Sequence, residues 1–95
     1  MKAKERQKQN DADMLAFLSS SQGRRLFWRL LEQSGLYSSS YAESPTATAY
    51  NEGRRSFGLA LLTEAQRVTP ELYARALREQ LEALALDVPE PPPED

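Results

Sequence analysis

Neither cysteine nor histidine occurs in the 95 residues, and this double absence narrows what the chain can fold into more than any other feature. Disulfides are excluded, along with the commonest soft metal ligands, so apolar packing must supply the stability. The foldable part is shorter than the chain. From Met1 to Asn10 nearly every side chain is polar or charged, and Val88 onward reads Val-Pro-Glu-Pro-Pro-Pro-Glu-Asp. The first segment cannot offset its ordering entropy without a partner, and the second suits only extended polyproline-like or disordered chain. About 75 residues remain for one domain with a thin core, a size at which association often supplements stability.

Apolar periodicity predicts an all-α bundle of four helices within 11–86, at roughly 11–19, 21–35, 47–68 and 70–86, between a basic arm (1–10) and an acidic Pro-rich tail (87–95). Met14, Leu15 and Leu18 fall at helical spacing in the first helix, and Ser19 to Ser21 break it. Ser21 is placed to cap the second helix, and Gly35 suits a left-handed C-terminal stop. The hydroxyl-rich run from Leu36 to Thr48, interrupted by Pro45, reads as a surface loop pinned by Tyr37 and Tyr41, the alternative being a segment for contact with another molecule. Thr69-Pro70-Glu71 is the clearest boundary, combining a capping residue, a first-turn proline and an acid beside the positive helix end. The expected core is Leu15, Leu18, Phe27, Leu30, Leu31, Phe57, Leu61, Leu77 and Leu81. Gly53 and Gly58 lie inside the third helical pattern, where each costs roughly 1 kcal/mol against Ala. They imply either close approach of another backbone or local irregularity.

The residue inventory argues against catalysis. Without His or Cys the ordinary nucleophile–base pairs cannot be assembled, and the carboxylate pairs fall on a solvated helix face or in the tail. There is no phosphate loop, no cofactor motif and no metal-ligand spacing, so neither cofactor nor small-molecule substrate is expected. The longest apolar runs, such as Leu59 to Leu62, are too short to span a bilayer. A formal net charge of -2 gives no global basic field of the kind that marks a dedicated nucleic-acid binder. These features describe a small soluble protein that works by contacting other macromolecules.

One pattern bears on those contacts. Gly23-Arg24-Arg25-Leu26-Phe27 recurs as Gly53-Arg54-Arg55-Ser56-Phe57, giving the second and third helices matching arginine pairs. Arg25 and Arg29 form a like-charge pair at i,i+4, unfavourable unless an anion relieves it. The anion can come from this chain's Glu32, Glu43, Glu52 or Glu64, from a neighbouring protein, or from nucleic-acid phosphate. Trp28 lies off the Phe27/Leu30/Leu31 stripe, so either the buried face is wide or the indole anchors an interface. Arg24, Arg25, Trp28, Arg29, Arg54 and Arg55 are therefore the candidate partner-binding residues. Lys2, Lys4, Arg6 and Lys8 are the alternative set, for DNA phosphate.

The run Gln22-Gly23-Arg24-Arg25-Leu26-Phe27-Trp28-Arg29-Leu30-Leu31-Glu32-Gln33-Ser34-Gly35-Leu36-Tyr37, followed by Tyr50-Asn51-Glu52-Gly53-Arg54-Arg55-Ser56-Phe57-Gly58-Leu59-Ala60-Leu61-Leu62, resembles the small tailed-bacteriophage proteins grouped under a Bordetella phage member. The resemblance covers roughly Leu15 to Ala76. It implies a gene neighbourhood of phage head and tail proteins and transfers no catalytic residue. The expectation is a virion-associated structural protein, made in the host cytoplasm and present in several copies, docked near the portal, tail or ejection apparatus. Its partners would be other phage structural proteins and copies of itself. A DNA-handling accessory in packaging and a non-virion scaffold or host-modulating protein are the alternatives.

Overall fold

The computed structural model describes residues 2–37, 42 and 44–87. They form the expected all-α bundle of four helices: α1 (Ala3–Leu18), α2 (Ser21–Gln33), α3 (Pro45–Val68) and α4 (Pro70–Asp87), with no strand among the described residues. Each helix touches the other three. Tyr41, Glu43 and the tail from Val88 lie outside the described residues.

The helix ends follow local chemistry, with corrections to one expected cap and two expected starts. Ser20, not Ser21, caps α2, its hydroxyl accepting from the Gly23 amide at 2.9 Å. Gly35 takes the left-handed conformation beyond α2, with φ 73°, and its amide donates to the Glu32 carbonyl at 3.1 Å. α3 begins two residues before the expected Ala47 because Ser44 caps it, accepting from the Ala47 amide at 3.0 Å, with Pro45 as the first helical residue. A proline there removes an N–H that has no helical partner in any case. Thr69 is the sole residue between α3 and α4: its amide donates to the Ala65 carbonyl at 2.9 Å and its carbonyl accepts from the Tyr73 amide at 3.0 Å.

The largest difference lies at the start. Residues 3–10, expected as an unordered arm, belong to α1, and all of them are exposed. Nucleation is the costly step in helix formation, and it is met further along, where Met14, Phe17 and Leu18 pack into the core. The good helix formers Ala3, Lys4, Glu5, Arg6, Gln7 and Lys8 then extend the helix cheaply. Gln7 bonds Asp11 at 2.8 Å, and Arg67 of α3 holds Asp11 at 2.7 Å.

Leu18, Phe27 and Leu31 form the centre of the core with no exposure, joined by Trp28, Leu36, Ala65 and Ala76. Phe27 meets Phe17 and Trp28 edge-on, at centroid separations of 6.5 and 6.4 Å. Leu30, Leu61 and Leu77 are half-buried, whereas Leu15, Phe57 and Leu81 are exposed, against the expected core. Phe57 is 65% exposed although Leu61 is half-buried and Ala65 fully buried further along the same helix. Gly58, next to it, is buried in its place. A Cβ on Gly58 would collide with the Ser34 side chain, so the bare backbone is what lets α3 reach the end of α2. Gly53 has nothing within 4 Å of the corresponding position.

The two Gly-Arg-Arg segments are thus not structural equivalents. Gly23, Arg24 and Phe27 are buried, and Gly53, Arg54 and Phe57 are exposed. Phe27→Ala should cost about 3–5 kcal/mol in urea unfolding, while Phe57→Ala should change stability by less than about 0.5 kcal/mol. Gly58→Ala should destabilise by about 1–3 kcal/mol, whereas Gly53→Ala should stabilise by up to about 1 kcal/mol. Equal effects within either pair would mean that the face of α3 is wrongly assigned.

Candidate functional site

The six candidate residues on α2 and α3 separate into three environments. Arg24 is 4% exposed, the only buried charge among the described residues. Its Nε donates to both Glu79 carboxylate oxygens, at 3.0 and 3.1 Å, and its Nη1 donates to the Leu18 carbonyl at 3.0 Å. Glu79 also accepts from Arg75 Nε at 3.2 Å. The Arg24 hydrogen bond, aided by the nearby positive charges of Arg24 and Arg75, holds the Glu79 carboxyl below its ordinary value of 4.5 despite partial desolvation. Arg24 thus finds its anion in the same chain, on a glutamate outside the four considered for the Arg25/Arg29 pair. Buried and bonded to both Glu79 and the Leu18 carbonyl, Arg24 is part of the packing between helices.

Trp28 is buried, with Tyr37 stacked on it at 6.2 Å, and it still lines a groove at the surface. The buried face of α2 is simply wide. Partial burial, helped by the nearby Tyr73, raises the Tyr37 phenol above its ordinary value of 10.0, although much of that side chain faces water. Arg54 serves the end of α2. Its Nη1 donates to the Gln33 carbonyl at 3.1 Å, its Nη2 bonds Asn51 at 3.3 Å, and its guanidinium lies 5.4 Å from the Tyr50 ring centroid. A cation is favourable at these terminal carbonyls because they carry the negative end of the helix dipole.

Arg25, Arg29 and Arg55 remain. None has an ion pair or hydrogen bond among the described residues. Arg25 and Arg29 lie with Gln22 of α2 and Gln80 of α4 around an open cleft of about 450 Å³. Gln80 is steadied there by a 3.2 Å bond to Glu32. The repulsion inherent in this i,i+4 pair is thus met by no carboxylate of the described chain. On the far side of Gln80 the surface turns apolar, a groove formed by Trp28, Tyr37, Leu77, Leu81 and Leu84. The residues of the alternative set, Lys2, Lys4, Arg6 and Lys8, are exposed on or beside the first turns of α1, apart from the cleft in sequence and element.

Sequence reasoning missed Gln22, Gln80 and Glu79. The signal for Glu79 was present only as an i,i+4 acid beside Arg75, which reads as a solvated pair. Among the described residues no acid cluster is placed to hold a metal ion, and no helix is long and apolar enough to cross a membrane.

Fold and surface define a small all-α bundle with an arginine cleft beside an apolar groove. The chain belongs to the Bbp19-like phage protein family, whose sequence profile matches residues 13–78. The match spans α2, α3, most of the packed part of α1 and the first half of α4, in agreement with the extent of the resemblance in sequence. No curated protein and no solved structure matches the chain.

Arg24→Met should destabilise the fold by about 2–3 kcal/mol, less than a fully buried broken pair costs because Glu79 remains partly in water. Arg25→Gln should change stability by well under about 1 kcal/mol. Because folding lowers the Glu79 pKa, its contribution is present above about 4.5 and is lost as pH falls through the folded-state value. Urea midpoints measured between neutral and acid pH should fall on the acid side, and Glu79→Gln should flatten that fall. An unchanged acid slope in the variant would remove the pair from the stability of the fold.

Proposed function

We propose that this protein is a non-enzymatic structural component of a phage particle. In this reading it is present in several copies and is docked on other phage structural proteins near the portal, tail or ejection apparatus. It is made in the host cytoplasm and carried in the virion. Family membership supports the phage context. The observation that carries the contact role is the seam between α2 and α4, where unpaired Arg25 and Arg29 border an apolar groove. Exposed arginine forks beside exposed apolar surface are the combination that protein interfaces favour, since the guanidinium binds a carboxylate bidentately and tolerates partial burial. The cleft needs an anion that the described chain does not provide.

A second reading rests on a separate observation. Lys2, Lys4, Arg6 and Lys8 gather at the exposed start of α1, a placement that suits phosphate contact in a DNA-handling accessory for packaging. Between Ser21 and Ala60 five arginines face only three glutamates, a small excess that favours a protein partner for the cleft.

Mass spectrometry of purified particles should detect the protein beside other small virion components; its absence while comparably small ones are seen would sink the particle role and leave the non-virion scaffold or host-modulating reading. Arg25→Gln and Arg29→Gln should leave the domain folded but weaken association with phage proteins by about 2 kcal/mol, with poor rescue by Lys. Good rescue by Lys, together with a DNA-binding salt slope reduced by about one per charge removed, would transfer the cleft to nucleic acid.

A further inference from the structure

We propose that the Arg25–Arg29 cleft is covered by this chain's own acidic segment, residues 88–95, which turns back from the end of α4 and sets Glu94 and Asp95 against the two arginines. The inference rests on reading the cleft as a carboxylate site, and it holds whether or not the protein enters a virion.

Charge defines what the cleft takes. Arg25 and Arg29 are exposed, four residues apart and unpaired among the described residues, so an anion from outside those residues must relieve them. The nearest described acids are committed elsewhere. Glu79 is held by Arg24 and Arg75, and Glu32 accepts from Gln80 and lines the groove beyond it. Outside the described residues this sequence has only Glu43, Glu90, Glu94 and Asp95 as acids. Glu43 adjoins the start of α3, which contributes nothing to the cleft. Residues 88–95 hold the other three and no cation.

Reach selects among those three. The chain leaves α4 at residue 87, about 10 Å beyond Gln80 along the axis and within about 20° of it around the helix. It therefore departs on the cleft side of α4. A depression of about 250 Å³ shares Arg25 and Gln80 with the cleft and continues along α4 past the small side chains of Ala76 and Ala83. Pro89, Pro91, Pro92 and Pro93 oppose further helix and favour an extended run rising about 3.1 Å per residue. From residue 87 to Glu94 such a run spans about 22 Å. That exceeds both the return to Gln80 and the roughly 8–10 Å step between packed helix axes. Glu90, at about 9 Å, falls short. The prolines also reduce the entropy lost on docking, and so short a tether presents the acids at about millimolar concentration. A partner's carboxylates then enter the cleft only by displacing Glu94 and Asp95.

Because the chain has no cysteine, one introduced thiol can carry a single spin label. With a nitroxide on Pro93→Cys in the full chain, the amide signals of Gln22, Arg25 and Arg29 should broaden at every protein concentration. The broadening should disappear in E94Q/D95N and in R25Q/R29Q and persist in E90Q. It should be absent when spin-labelled chain is mixed with separate isotope-labelled chain. Hexaglutamate, the probe for the cleft, should bind E94Q/D95N about tenfold more tightly than the parent. Broadening in the mixed sample assigns the segment to a second copy and overturns the proposal. So does broadening that survives E94Q/D95N, or equal affinity of parent and variant for hexaglutamate. If no broadening appears, the proposal fails alone when hexaglutamate shifts the Arg25 and Arg29 signals of the parent. When hexaglutamate leaves them unmoved, the carboxylate reading of the cleft fails with it.

Discussion

An arginine side chain taken out of water must find an anion and a carbonyl, or the fold loses several kcal/mol. Arg24 finds them on two different neighbours, since the Leu18 carbonyl ends α1 and Glu79 sits midway along α4. Only when both helices are in place is the guanidinium satisfied. The latch therefore sets the positions of α1 and α4 around α2 by directional bonds, where apolar contact alone would permit sliding. It also determines what is left outside: with Glu79 turned inward, the outward arginines of α2 have no carboxylate of α4 to meet.

The fourth member is held differently. α3 is tied by Arg67 to Asp11, by Arg54 to the last turn of α2, and by the close contact of Gly58 with Ser34. Small residues at that contact bring backbones together but bury little apolar area, while larger side chains such as Tyr50, Phe57 and Leu59 remain in solvent. Packing quality is thereby exchanged for a surface rich in apolar groups, and patches of this kind on small proteins mark contact sites.

Much of the architecture was legible in the residues. Periodicity gave the number of helices, and Gly35 and Thr69-Pro70 marked their stops because both signals act locally. Ser44-Pro45 has the same grammar as Thr69-Pro70, yet the hydroxyl-rich surroundings suggested a loop running past it. The faces were harder to read. A stripe count favours large apolar residues, so it chose Phe57 over Gly58, and only the approach of Ser34 decides between them. The arginine repeat misled for a related reason: identical five-residue strings carry no information about which helix lies opposite. Within the site, Arg25 and Arg29 were recognisable by their mutual repulsion. Glu79 was not, because its partner is 55 positions away in sequence.

The single-residue junction at Thr69 couples the two long helices in phase. With no slack between Val68 and Pro70, adding or removing one residue in either helix near the junction would rotate everything beyond it by about 100°. Glu79 would swing away from Arg24, and the apolar groove at Leu77, Leu81 and Leu84 would turn with it. The latch and the groove are therefore read in one frame, and sequence-length change in this half of the molecule is tolerable only where it falls beyond the last turn of α4.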